Sequence, residues 1–309
     1  MKSGSEQLER FLEAGWVMRI LVAALAVYLL LSVIFGIFWS SEPEPFLVSE
    51  VAAQHAQQNN STVTTGYTTT VALMTVSKTL LDKSGGYLSN DVFPPGVWLD
   101  NIPRWEFGVL VQVRDLSRAM RKDFSRSQSQ STEDLDLSIA EPQFHFDNSS
   151  WALPDSEGEY RRGIDKLNAY VLRLADTNSG QSQFYARSDN LRTWLKDVET
   201  RLGSLSQRLS ASVGQKRINI DLAGDAEAQQ STENEGEFEV KTPWLEIDDV
   251  FYEARGSAWA LIHFLKAMEV DFADVLHKKN ALVSVKQIVR ELEATQQSIW
   301  APMILNGDG

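Results

Sequence analysis

Residues 20–39 read ILVAALAVYLLLSVIFGIFW, twenty consecutive residues without a charge. At 1.5 Å per residue a helix of that length covers about 30 Å, one full thickness of bilayer hydrocarbon. Thirteen of the twenty are Leu, Ile, Val or Phe, each worth roughly −0.3 to −0.6 kcal/mol near a helix centre, so insertion gains about 4 to 8 kcal/mol. The run is longer than the apolar part of a secretory signal, and Trp39-Ser-Ser-Glu-Pro-Glu-Pro45 follows it without a small-x-small cleavage site. The stretch therefore predicts a retained transmembrane anchor.

Working outward, basic residues set its orientation. Lys2, Arg10 and Arg19 precede the span, and no Lys or Arg follows it until Lys78. Residues 1–19 are expected to be a cytoplasmic tail, and everything beyond the spacer at 40–48 is expected on the other side. Glu6, Glu9 and Glu13 balance the three basic residues of the tail, so the exported part carries the whole formal charge of −13. A surface of that sign repels polynucleotides and anionic headgroups, which excludes a nucleic-acid partner. The chain has 309 residues, 43% of them hydrophobic, and no cysteine. That composition suits a packed core and rules out disulfides and thiolate metal sites.

Residues 49–309 are expected to form one helical domain. Tyr160, Ile164, Leu167, Val171 and Leu174 step by four and three, the rhythm of a helix with one buried seam. Ser156 and Glu159 have capping-box spacing at its start. The same rhythm recurs at Leu191, Leu195, Val198, Leu202, Leu205 and Leu209, and the two seams read as an antiparallel hairpin. Further seams lie at Val109, Val113, Leu116 and Met120, at Leu261, Leu265, Met268, Phe272 and Val275, and at Leu282, Val285, Val289, Leu292 and Ile299. Weaker helices near 46–57 and 67–82 bring the count to six or seven. The fold class is mainly α, a helical bundle with insertions near 125–150 and 217–241. Leu135, Leu137 and Ile139, then Ile218, Ile220 and Leu222, then Phe238 and Val240 alternate as strands do, suggesting a small sheet, a long hairpin or plain loops.

Residues 85–108 stand apart in composition: GGYLSNDVFPPGVWLDNIPRWEFG combines backbone-breaking Gly and Pro with five aromatic rings. An irregular but packed loop follows, and such loops carry function more often than the elements they join. Its candidate binding residues are Tyr87, Asp91, Trp98, Asp100, Asn101, Trp105 and Glu106; the alternative is a connection that caps one end of the bundle. His55, His145, His263 and His277 include no metal-binding pair, and His263 falls beside an apolar stripe as a core histidine would. Glu246, Asp248, Asp249 and Glu253 follow Thr242-Pro243, a good N-cap and first-turn pair, and read as acids of the first turns of a helix rather than as a calcium loop. Serine-hydrolase, P-loop and dinucleotide motifs are missing, and neither a cofactor nor a metal is implied.

The span, the GGYLSND…PPG…LDN.P.WEFG segment and the later Trp259-Ala-Leu-Ile-His-Phe-Leu together resemble an uncharacterised bacterial family of single-span envelope proteins, a domain of unknown function. The likeness runs through most of the chain. It implies a bacterial inner membrane with the exported domain in the periplasm, and it supplies no catalytic residues. The expected function is to bind or scaffold another cell-envelope component, an envelope protein being the expected partner, without catalysis. The alternatives are a carboxylate-dependent cell-wall hydrolase built on Asp91, Asp100 and Glu106, and a ligand-sensing bundle that signals through a partner membrane protein.

Overall fold

A computed structural model describes residues 15–127, 132–176, 180–218 and 237–298, with backbone alone at 215–218 and 237–240. Ten α-helices are present among them: α1 Trp16–Trp39, α2 Val48–Gln58, α3 Tyr67–Asp82, α4 Asn101–Ala119, α5 Leu135–Phe144, α6 Ser156–Ala175, α7 Ser188–Ser212, α8 Ile247–Asp271, α9 Ala273–Lys278 and α10 Leu282–Ala294. A π turn, Met120–Phe124, prolongs α4. Gln215–Ile218 and Glu237–Val240 pair antiparallel as β1 and β2, with Arg217 opposite Phe238. The acidic stretch between them, with Ile220 and Leu222, lies outside the described residues, as do residues 1–14 of the expected tail and Ile299; residues 16–19 of that tail belong to α1.

Helix α1 is long and apolar enough to cross a membrane. Its residues are exposed except for buried Ser32 and Gly36 and half-buried Trp39, the inverse of a core helix.

The bundle is built around α8, which packs on α3, α4, α7 and α10. Its crossing with α4 depends on two glycines. A Cβ on Gly256 would stand 2.0 Å from the carbonyl oxygen of Trp105, and one on Gly108 would stand 2.1 Å from that of Glu253. The two backbones touch, and Ser257 Oγ donates to Gly108 O at 3.1 Å across the contact. Beside it Trp105 and Trp259, both buried, meet with ring centroids 5.2 Å apart. At the far end of α8, Asp271 caps α3 from outside that helix. Its carboxylate accepts from Gly66 N at 2.8 Å and from Thr69 N and Oγ1 at 2.7 Å each, neutralising donors that a helix start leaves unpaired.

Four sequence expectations are corrected. Leu135, Leu137 and Ile139 do not form a strand: Asp134 accepts from the amides of Asp136 and Leu137, which starts a helix whose buried positions Leu137, Ala140 and Phe144 follow helical spacing. Helices α6 and α7 are not a mutual hairpin, because α6 lies on α5 and α3 whereas α7 lies on α8 and α4. The cap of α6 is Asp155, accepting from Gly158 N at 3.1 Å; Glu159 instead pairs with Arg162 and Ser156 Oγ donates to Asp147 O. Thr242 and Pro243 do not open α8, which begins at Ile247 after a 3-10 turn, Trp244–Glu246.

Replacing Gly256 with Ala forces α4 and α8 apart and is expected to cost about 1–3 kcal/mol. Gly203→Ala, at an exposed position of α7 where an added Cβ meets nothing within 4 Å, should raise stability by about 0.5–1 kcal/mol. Thermal denaturation followed by circular dichroism distinguishes the two by sign.

Candidate functional site

The Gly- and aromatic-rich segment is less of a loop than its composition indicates. Its last third, from Asn101, belongs to helix α4, and residues 83–100 are irregular apart from a 3-10 turn at Gly96–Trp98. Gly85 and Gly86 turn the chain with φ of +87° and +74°, and Gly85 lies flat against Trp39 at the end of α1, where a Cβ would come within 2.6 Å of the indole. This turn aims two amides at Glu106: Leu88 N donates to Oε1 and Ser89 N to Oε2, both at 2.9 Å. Ser89 Oγ adds a bond of 2.5 Å, and Lys83 Nζ stands 2.5 Å from Oε1. Lys83 also donates to Gly86 O. Both charged side chains are sealed from solvent.

Burial raises the pKa of the Glu106 carboxyl, against the opposing pull of Lys83, the Ser89 hydroxyl and the Leu88 amide. A carboxylate with four donors and no solvent access is a structural anchor: it closes the turn and has no lone pair directed at a substrate. Trp105 is likewise core. Tyr87 is buried, edge-on to Tyr160 at 5.6 Å, with its hydroxyl donating to Asn148 O at 3.0 Å and its pKa raised by burial.

Of the other expected residues, Asp100 is exposed and caps α4 by accepting from Asn101 N. Trp98 is exposed. Asp91 lines a cavity of about 370 Å³ together with Trp39, Asn90, Phe93, Trp151 and Glu157. Asn90 Nδ2 bridges Glu157 Oε2 at 2.7 Å and Ser150 O at 2.8 Å. Partial burial and the charge of Glu157 raise the pKa of Asp91. Asp91, Asp100 and Glu106 therefore do not face one cleft. The carboxylate beside Asp91 is Glu157, from α6, which no local motif singles out. Arg104 pairs with Asp249 at 2.8 Å and Arg208 with Glu253, so acids of the 246–253 set serve ion pairs.

Sequence reasoning also misses what ties α1 to the bundle. Glu42, in the Glu-Pro spacer, takes two donors of the Arg255 guanidinium at 2.6–3.1 Å, and Arg255 Nη1 reaches Thr295 O at 2.6 Å. Phe46 stacks on His263 with ring centroids 3.9 Å apart, and its amide donates to His263 Nε2 at 3.0 Å. The other nitrogen, Nδ1, lies 2.7 Å from Trp259 O. This pairing fixes the neutral tautomer with hydrogen on Nδ1. His263 is in the core, where its spacing places it.

A roomier depression lies elsewhere, an open groove of about 1240 Å³ between α7 and the α9–α10 corner. Leu191, Leu195, Leu276 and Val285 contribute apolar surface, and Arg192, Lys196 and Lys279 are among its charged residues. No group of three or more His, Asp or Glu is placed to hold a metal among the described residues.

A family model described as "Uncharacterized protein conserved in bacteria (DUF2333)" matches residues 12–309, and the chain belongs to that family. No curated protein and no solved structure matches it.

Glu106→Gln leaves Lys83 buried without its counter-charge and should cost about 3–5 kcal/mol. Adding Lys83→Met to that variant should restore part of the loss, read from urea denaturation midpoints. Acid should act through His263. Its pKa is lowered by burial to about 4, so the unfolded chain takes a proton below about 6.5 that the folded chain refuses until about 4. Stability is thus full above this window and falls by about 3 kcal/mol as pH drops through it. In His263→Gln the part of the loss between about pH 6.5 and about pH 4 due to this group should vanish.

Proposed function

We propose that this member of the family is a single-pass inner-membrane protein whose helical domain stands in the periplasm and binds another envelope protein. The anchoring part is supported by α1, uncharged over residues 20–39, and the orientation by Lys2, Arg10 and Arg19 before the span with no basic residue after it until Lys78. The binding part is carried by one observation, the groove between α7 and α9–α10. Its apolar floor and charged rim resemble the surface with which helical proteins receive an amphipathic helix, and it is too open to enclose a small substrate. The polar residues of the Gly- and aromatic-rich segment meanwhile are largely spent on closing that segment.

Photo-crosslinking in intact cells tests this. A photoreactive residue at Arg192 or Lys279 should yield one discrete adduct, and one at Gln57 on α2 should not. Labelling of all three positions alike, or of none, defeats the proposal.

One observation favours a hydrolytic reading, the proximity of Asp91 and Glu157 at one cavity, where Asp91 has a raised pKa and so resembles a proton donor. Cell-wall polymer cleaved by the full chain and spared by Asp91→Asn would favour it over the groove.

A further inference from the structure

The cavity-forming loop leads downward, along α1, rather than out into solvent. Pro95 Cβ lies 3.7 Å and Leu99 Cδ2 3.8 Å from where a Gly36 Cβ would be, and Pro94 O accepts from the Tyr28 hydroxyl at 2.7 Å. At 1.5 Å per residue Gly36 is about 4.5 Å, and Tyr28 about 16 Å, below the last residue of α1. The loop therefore lies beside the last turns of the apolar helix. Ser32 and Gly36, the buried residues of α1, fall within the stretch that the loop flanks.

From this placement we infer that residues 92–98 are a second membrane contact, a wedge immersed in the leaflet through which α1 leaves the bilayer. The inference rests on the reading that α1 crosses that bilayer. Three features of the loop carry it. Its tip is apolar and outward: Phe93 is 72% exposed and Trp98 52%, with Val92 and Val97 beside them, an arrangement unfavourable in water and favourable in lipid.

Part of its backbone also meets the demand that hydrocarbon makes on polar groups, although no acceptor among the described residues faces the amides of Val92, Phe93 and Gly96. Pro94 and Pro95 have no N–H to satisfy, while Val97 N donates to Phe93 O, Trp98 N to Pro95 O and Leu99 N to Gly96 O, at 2.9–3.2 Å. The Tyr28 hydroxyl and the Pro94 carbonyl satisfy each other at a depth where water is scarce. Finally, residues 92–99 hold no charge, and no Lys or Arg occurs between Lys83 and Arg104. The contact is thus to acyl chains and the interfacial layer rather than to anionic headgroups.

The chain has no native cysteine, so the test uses single-cysteine full-length protein in phosphatidylcholine vesicles, labelled with bimane at Phe93→Cys, Trp98→Cys, Leu30→Cys or Val283→Cys. The inference expects positions 93 and 98 to behave as position 30 does, quenched severalfold more by acyl-chain nitroxide lipid than at Val283→Cys and protected from aqueous iodide. If 93 and 98 are iodide-accessible like 283 while 30 stays lipid-quenched, the wedge is refuted and the anchor stands. If position 30 is also open to iodide, the anchor fails and the wedge with it.

Discussion

Contact between two helix backbones is the constraint on which this structure depends. Where α4 crosses α8, Gly108 and Gly256 each face a carbonyl of the other helix at a distance that leaves no room for a methyl group. Close approach at this point determines what can surround it. Trp105 and Trp259 can face each other only because the helices carrying them are this near, and the α4 turn that bears Trp105 also carries Glu106. The buried Glu106–Lys83 node, and through it the Gly85-Gly86 turn, is placed by that same crossing. A bulky residue at either glycine would not merely add strain; it would move the floor on which the whole 83–100 segment is built.

From that floor the structure explains how a single apolar helix can be oriented on a helical domain. A lone helix joined by a flexible linker would pivot freely. Here the linker is short, restrained by two prolines and held at Glu42 by Arg255 and at Phe46 by His263, while Trp39 rests on Gly85. Three separate attachments, one ionic, one aromatic and one steric, define a direction. The arginine ties the spacer to the chain beyond α10 as well, since the same guanidinium reaches the carbonyl of Thr295. Spacer, α8 and the end of α10 are thus joined through one buried cation, whose charge is tolerable there because carboxylate and carbonyls surround it.

How much of this was legible in the sequence depends on whether a feature is local. The long apolar helix α1 was readable because twenty uncharged, mostly branched and aliphatic residues favour one uninterrupted helix. The seams on α6, α7 and α10 were readable because each helix buries one stripe, and the stripe is periodic. Leu135, Leu137 and Ile139 misled because a ten-residue helix shows too few turns for its period to outweigh a chance alternation, and the decisive signal was the cap at Asp134. The supposed α6–α7 hairpin failed for another reason: adjacency in sequence implies adjacency in space only when no third helix offers a better partner. Gly108 and Gly256 were invisible, since an isolated glycine in a helical pattern reads as a weakness until its opposite number is known.

The candidate site shows the same division more sharply. Residues 85–108 are unusual in composition, and the unusual composition is real structural information, but it reports backbone geometry rather than chemistry. Glycine is needed where the chain doubles back beneath Trp39, and aromatic bulk fills the space around the turn. A carboxylate is needed to bind two amides and a hydroxyl that the turn leaves facing inward. Glu106 resembles a catalytic acid in sequence for the reason it cannot act as one in the fold, namely that a buried carboxylate must be satisfied by its surroundings. What the segment has to spare after closing itself is the apolar edge at Phe93, Val97 and Trp98, and that edge points along α1, where water offers it nothing and lipid does.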